Sequence, residues 1–175
     1  MQSLYICSDV HGDFYSFRDF VRKAGNNPIL VLGDFCPDSE DFEKLLKQHI
    51  SQLTLVRGNC DSGYDYAIAG IPVPPLLNSL TFAGRLVILT HGHHYRRPSD
   101  LPIHLKPGDV FFSGHTHREQ LFIDGKGIIN ANPGSLAYPR GKCGASYIVM
   151  NEQELALREL YGGNISTLTL PMAGR

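Results

Sequence analysis

At 175 residues the chain is long enough to enclose a hydrophobic core within one domain, and the reading takes 1–175 as a single domain. Hydrophobic residues at 42% and charged residues at 19% exclude an intrinsically disordered chain. With 16 basic and 17 acidic side chains the net charge is −1, which argues against a protein that grips nucleic acid by bulk electrostatics.

In chain order, Leu4–Cys7 predicts a buried strand, followed by a helix capped near Asp13 with Phe14, Phe17, Phe20 and Val21 on one face. Gly25-Asn26-Asn27-Pro28 stops that helix. Ile29–Leu32 predicts a second strand, Ser39 to about Ile50 a second helix with Phe42, Leu45, Leu46 and His49 or Ile50 inward, and Leu53–Val56 a third strand. This alternation predicts βαβ units and a parallel sheet. After Gly63 the rhythm changes. A proline-rich loop, Ile71–Pro75, leads into Leu80–Phe82 and Leu86–Thr90, joined as a hairpin by Ala83-Gly84-Arg85. Val110–Phe112 predicts a further strand, Gln120–Ile123 and Ile128–Asn130 a hairpin, and Ser146–Met150 with Leu155–Leu160 an antiparallel pair. A second sheet packed on the first is therefore expected, with Ser166–Leu170 either an edge strand or an irregular tail.

No apolar run approaches the length needed to cross a bilayer, and Met1–Asp9 does not read as a signal peptide. Cys7, Cys36, Cys60 and Cys143 are widely spaced with no CxxC pair, so reduced thiols and a cytoplasmic setting are expected.

The strands end in polar clusters, and in parallel α/β sheets sites collect beyond the carboxyl ends of strands. Gathered together these groups are Asp9, His11, Asp34, Asn59, His91, His115 and His117. Such mixed oxygen and nitrogen donors suit Mn²⁺, Fe²⁺ or Zn²⁺ rather than Ca²⁺, and no thiolate is required. Strand alternation would let Asp9 and His11 point the same way and share one ion, with His115 and His117 repeating the geometry after Gly114. So many donors exceed the needs of one small site and suit two ions, about 3.5–4 Å apart, bridged by a carboxylate. Taken singly, each motif has an ordinary reading as a turn, an exposed acid or a surface histidine. Their coincidence at successive strand ends makes the set specific.

In order, Asp9-x-His11, Gly33-Asp34, Gly58-Asn59-Cys60-Asp61, His91-Gly92-His93 and Gly114-His115-Thr116-His117 resemble the motifs of the calcineurin-like metallophosphoesterase superfamily. The likeness is strongest to its small YfcE-like phosphodiesterase branch, runs from about Leu4 to Met150, and includes Asn132-Pro133-Gly134-Ser135. The resemblance implies an α/β fold, a four-layer αββα sandwich of two mixed β-sheets. It also implies two divalent ions, Mn²⁺ foremost, with Fe²⁺, Zn²⁺, Ni²⁺ or Co²⁺ as alternatives. One ion would be held by Asp9, His11 and His117 and the other by Asn59, His91 and His115, with Asp34 bridging. A bridging water of lowered pKa would attack phosphorus, and Asn59 would also touch a phosphoryl oxygen.

Many members of the superfamily place a general-acid histidine where this chain has Cys60. A thiol suits proton donation badly, which leaves His93 as a candidate acid or as a residue orienting a ligand. Asp61 is expected behind the ligands, Tyr64 and Tyr66 near a pocket, and Arg96, Arg97, Arg140 and Lys142 either near substrate or on the surface. The sequence thus predicts an enzyme acting on a small phosphorylated substrate, without membrane or nucleic-acid partners and with homo-oligomerisation left open. The alternatives are a nuclease and a non-catalytic interaction scaffold, as in the retromer subunit that resembles this branch.

Overall fold

The computed structural model describes residues 3–171. Among these residues eleven strands form two sheets, and three α-helices pack on one of them. The chain begins with β1 (Leu4–Cys7), α1 (Phe14–Ala24), β2 (Ile29–Val31), α2 (Glu40–His49), β3 (Leu53–Leu55) and α3 (Gly63–Ile68). It continues through β4 (Leu77–Phe82), β5 (Arg85–Thr90), β6 (Val110–Phe112), β7 (Gln120–Ile123) and β8 (Ile129–Asn132). It ends with β9 (Ser146–Met150), β10 (Glu154–Glu159) and β11 (Asn164–Thr169).

The first sheet has the order β11-β10-β9-β1-β2-β3, with β1, β2 and β3 parallel and the rest antiparallel. The second has the order β4-β5-β6-β8-β7, with β5, β6 and β8 parallel. Both sheets are therefore mixed, as the strand reading and the resemblance together required. Side-chain alternation along β1 separates two cores. Leu4 and Ile6 join Leu30, Val87, Leu89, Phe112 and Ile148 between the sheets, whereas Cys7 joins Val31, Phe17, Phe42 and Tyr66 under the helices.

Local chemistry explains the helix limits. Asp13 accepts the Ser16 amide at 3.0 Å to start α1, and Gly25, at φ 59°, ends it. Ser39 caps α2, whose first turn carries Glu40, Asp41 and Glu43 and whose last turn carries Lys47 and His49, matching the helix dipole. Phe42 and Leu46 face inward, but Ile50 is 45% exposed in a 3₁₀ turn and His49 is held by Gln52 at 2.6 Å. The expected inward face of α2 thus ends a turn early.

The hairpin turn is two residues long, Ala83 and Gly84, both at positive φ, and Arg85 pairs with Phe82 inside the ladder. Helix α3, capped by the Ser62 hydroxyl, had no clear apolar period in the sequence. The undecided tail forms the edge strand β11. On the outer face of the second sheet, Ile88, Phe111 and Ile128 are covered by Leu101 and Leu105. That layer is an irregular loop with one 3₁₀ turn at Pro98–Asp100, so only the first sheet carries α-helices among the described residues. No helix of the described residues is long and apolar enough to cross a membrane.

Candidate metal centre

The parallel strands β1, β2, β3, β5 and β6 end in the loops that carry Asp9 and His11, Asp34, Asn59, His91, and His115 with His117. The expected alternation along a strand is not what aligns Asp9 with His11. β1 ends at Cys7, and both residues lie in left-handed backbone, at φ 53° and 45°. Asp34 (φ 48°), His115 (φ 67°) and His117 (φ 58°) do the same. A non-glycine residue there is strained by roughly 1–2 kcal/mol, and such strain gathers at functional sites. Interstrand amides hold these turns, with His11 N donating to Asp34 O at 2.8 Å and Gly114 N to His91 O at 2.9 Å.

Asp9 is fully buried. Its Oδ2 accepts the Ser8 hydroxyl at 2.5 Å and the His115 amide at 3.0 Å, while its Oδ1 has no hydrogen-bond donor. Nε2 of His117 lies 3.1 Å from that oxygen, yet the contact is not an ordinary hydrogen bond. His117 Nδ1 faces the Tyr138 carbonyl at 2.8 Å, and a carbonyl only accepts, so the ring proton sits on Nδ1. Nε2 then directs a lone pair at Asp9 Oδ1 and stands 3.3 Å from His11 Nε2. His91 repeats the arrangement. Its Nδ1 donates to Leu32 O at 2.8 Å, which leaves Nε2 facing Asn59 Oδ1 at 3.0 Å and Asp34 Oδ2 at 3.4 Å. Lone pairs converging from imidazoles, carboxylates and a carboxamide require a proton or a cation between them. These donors fit divalent ions of intermediate softness.

Electrostatics agree. Burial raises the Asp9 carboxyl above its usual range despite opposing pulls from His91, Ser8 and His117. Burial acts the same way on Asp34, but a proton on His91 Nε2, standing where a cation would, bonds and attracts that carboxylate and, with the Cys60 amide, holds it far below its usual range. Burial would lower His91, yet Asp34 and Asp9 bring its pKa above the ordinary value. The same field favours a metal cation.

Donor atoms of Asp9, His11 and His117 lie within 4.8 Å of one another, as do those of Asp9, Asp34 and His91, and those of His11, Asp34 and Cys60. Asp34 thus joins the two halves of the cluster. His115 is exposed, with its ring edge-on to His91 at 5.0 Å, and belongs to none of these tight groups. Cys60 was not among the expected donors. Burial and the neighbouring Asp34 and Asp61 push its thiol up to about 11, so it is protonated at neutral pH.

Several residues brace the donors. Asp61 accepts amides from Phe35 (2.7 Å), Cys36 (3.0 Å) and Gly58 (2.7 Å), which pins the loops after β2 and β3 together. Asn132 donates to Gly114 O at 2.8 Å, and Ser135 to Asp9 O at 2.8 Å, so the Asn132–Ser135 segment is a brace for both histidine- and aspartate-bearing turns. A Cβ at Gly58 would overlap the Asp34 carboxylate, and one at Gly114 would overlap the Ser8 hydroxyl. Away from the cluster, Arg97 pairs with Asp100 at 3.1 Å on the surface, Arg96, Arg140 and Lys142 are exposed, Tyr64 is exposed and Tyr66 is core.

The two mixed sheets and the donor cluster at their strand ends define a metallophosphoesterase. The calcineurin-like phosphoesterase superfamily domain matches residues 2–155, and the chain belongs to that family. It is therefore a phosphoric ester hydrolase of a family that uses divalent metal ions. It is 29% identical to phosphodiesterase YfcE of Escherichia coli K12 over 171 residues, covering 90% of this chain and 91% of the relative. It is 28% identical over 167 residues to the probable metallophosphoesterase YsnB of Bacillus subtilis 168, covering 91% and 90% of the two chains. The solved structure of YfcE, a phosphoesterase from E. coli, superposes with a TM-score of 0.86 at 26% identity, over 97% of this chain and 100% of the other.

Proposed function

We propose that the chain is a phosphodiesterase that works with two divalent cations, Mn²⁺ foremost, on a small phosphorylated substrate. Asp34 carries this reading. Its Oδ2 lies between His11 Nε2 at 3.7 Å and His91 Nε2 at 3.4 Å, where a carboxylate can serve both halves of the cluster. Asp9, His11 and His117 would hold one ion and Asn59, His91 and His115 the other, with Asp34 shared. When bound, the cations supply Lewis acidity toward a phosphoryl oxygen and make water acidic enough to furnish hydroxide near neutral pH.

The chain's own residues do the rest. Tyr138 O and Leu32 O fix the histidine tautomers, so that Nε2 of His117 and His91 present lone pairs to the site. Asn59 turns its carboxamide oxygen toward His91, while its NH₂ makes only a 3.3 Å contact to Cys60 Sγ and remains available to a phosphoryl oxygen. The Cys60 backbone, not its thiol, serves the site by donating to Asp34 Oδ1 at 2.8 Å. His93 loses support as the proton donor. Burial and the neighbouring His91, His94 and His115 hold its pKa below the ordinary value, which disfavours the imidazolium that donation requires. With neither Cys60 nor His93 suited to protonating a poor leaving group, esters with good leaving groups are the expected substrates. Metal content after Mn²⁺ loading, together with Mn²⁺-stimulated hydrolysis of an aryl phosphodiester, tests the proposal. Two bound ions with turnover are expected; a protein that binds no metal and leaves the diester intact would refute it and favour the scaffold alternative.

A further inference from the structure

Tyr138 combines a locked backbone with a free ring. Its carbonyl accepts from His117 Nδ1 at 2.8 Å, and its amide donates to Ser135 Oγ at 2.9 Å, the hydroxyl that in turn donates to Asp9 O at 2.8 Å. The main chain of Tyr138 is therefore fastened to two candidate ligands. Its side chain is 60% exposed, yet the ring stands 5.3 Å from the His11 imidazole, inclined at 53°. Little of the ring's surface is spent on packing, and its position beside His11 places it at the rim of the metal centre. Aromatic rings attract at centroid separations of about 4.5–7 Å, and any aryl group or nucleobase offers a π-face to such a platform. An alkyl substituent does not.

Resting on the phosphoesterase reading above, we propose that Tyr138 is a specificity-determining contact that favours phosphoesters carrying a planar aromatic group over their alkyl counterparts. His11 takes part of the ring's surface, while the exposed remainder is available to a group attached to phosphorus. Because the backbone is fixed by hydrogen bonds to His117 and Ser135, the platform is pre-positioned and little ordering is needed on binding.

Calorimetric binding to the Mn²⁺-loaded full chain tests this with phenylphosphonate and methylphosphonate, neither of which is hydrolysed. The wild type is expected to bind phenylphosphonate about fivefold more tightly, the scale of one aromatic pair. Tyr138→Ala and Tyr138→Leu should both remove the preference, the second because it keeps bulk without a π-face, and Tyr138→Phe should restore it. Absence of a preference in the wild type, including failure to bind either phosphonate, overturns the proposal. So does an undiminished preference in Tyr138→Leu. Turnover of an aryl phosphodiester is followed in parallel. A wild-type protein that keeps the Tyr138-dependent preference without turnover supports the contact and sinks the hydrolase reading alone.

Discussion

The donors in the cleft sit on backbone that most residues avoid, and the hydrogen bonds around them offset that cost. Asp9 is the sharpest case, with one carboxylate oxygen satisfied by Ser8 and His115 and the other left bare in a buried position. An oxygen in that state is tolerable if a cation faces it. Asp34→Ala should remove the group shared by both halves of the cluster, lowering hydrolysis on the order of 10³-fold and cutting bound Mn²⁺. Near wild-type rates in that variant would rule out the shared-ligand assignment. Asp61 is a positioning residue, since it accepts the Phe35, Cys36 and Gly58 amides and the Cys36 thiol and touches none of the candidate ligands' donor atoms. Asp61→Ala should leave those donors unsatisfied, weaken Mn²⁺ binding about 10–100-fold and cost about 2–3 kcal/mol of stability. Calorimetric metal titration and urea melts would measure the two effects, and an unchanged Mn²⁺ affinity would separate Asp61 from the site.

Individual elements show which local signals were sufficient. The Ser62 hydroxyl accepts the Tyr64 and Asp65 amides, so Ser62→Ala should cost about 1 kcal/mol in a denaturant melt. The β7–β8 turn depends on Asp124, whose carboxylate accepts the Lys126 amide at 2.8 Å and the Ile128 amide at 3.0 Å. Burial raises its pKa, but the Ile128 and Lys126 amides and Asn130 together outweigh this and lower it. A group depressed on folding contributes stability above its unfolded pKa, near 4, and that contribution fades as pH falls through the folded value. Wild type should therefore exceed Asp124→Asn by no more than about 1 kcal/mol at pH 7, after allowance for solvent screening, and the gap should close as acid protonates the folded carboxylate. A gap independent of pH would point to packing instead of charge.

For the whole molecule, the site draws its candidate ligands from both sheets, so a bound ion would link occupancy of the site to stability of the fold. Mn²⁺ at a hundredfold excess over its dissociation constant should stabilise the protein by about 2.7 kcal/mol per site, and a chelator should reverse the gain. Thermal melts with and without Mn²⁺ check this, and indifference to the ion would mean the donors do not act as ligands. By itself the sequence determined the strand–helix rhythm and the two-sheet division, and it singled out Asp9, His11, Asp34, Asn59, His91 and His117, which the fold brings close together, along with His115, which stands apart. These follow from side-chain periodicity and from polar motifs placed at strand ends. It could not determine how the Asp9 and His11 side chains come together, because that depends on left-handed turns held by neighbouring strands. It did put Asp61 behind the candidate ligands, but it could specify neither the amides that Asp61 accepts nor the bonds of Ser135 and Tyr138, which join segments far apart in the chain. The short α3, the edge strand β11 and the loop that covers the second sheet likewise lacked a clear local signal. Which atoms meet across the cleft is set by the packing of two sheets, and only tertiary structure decides it.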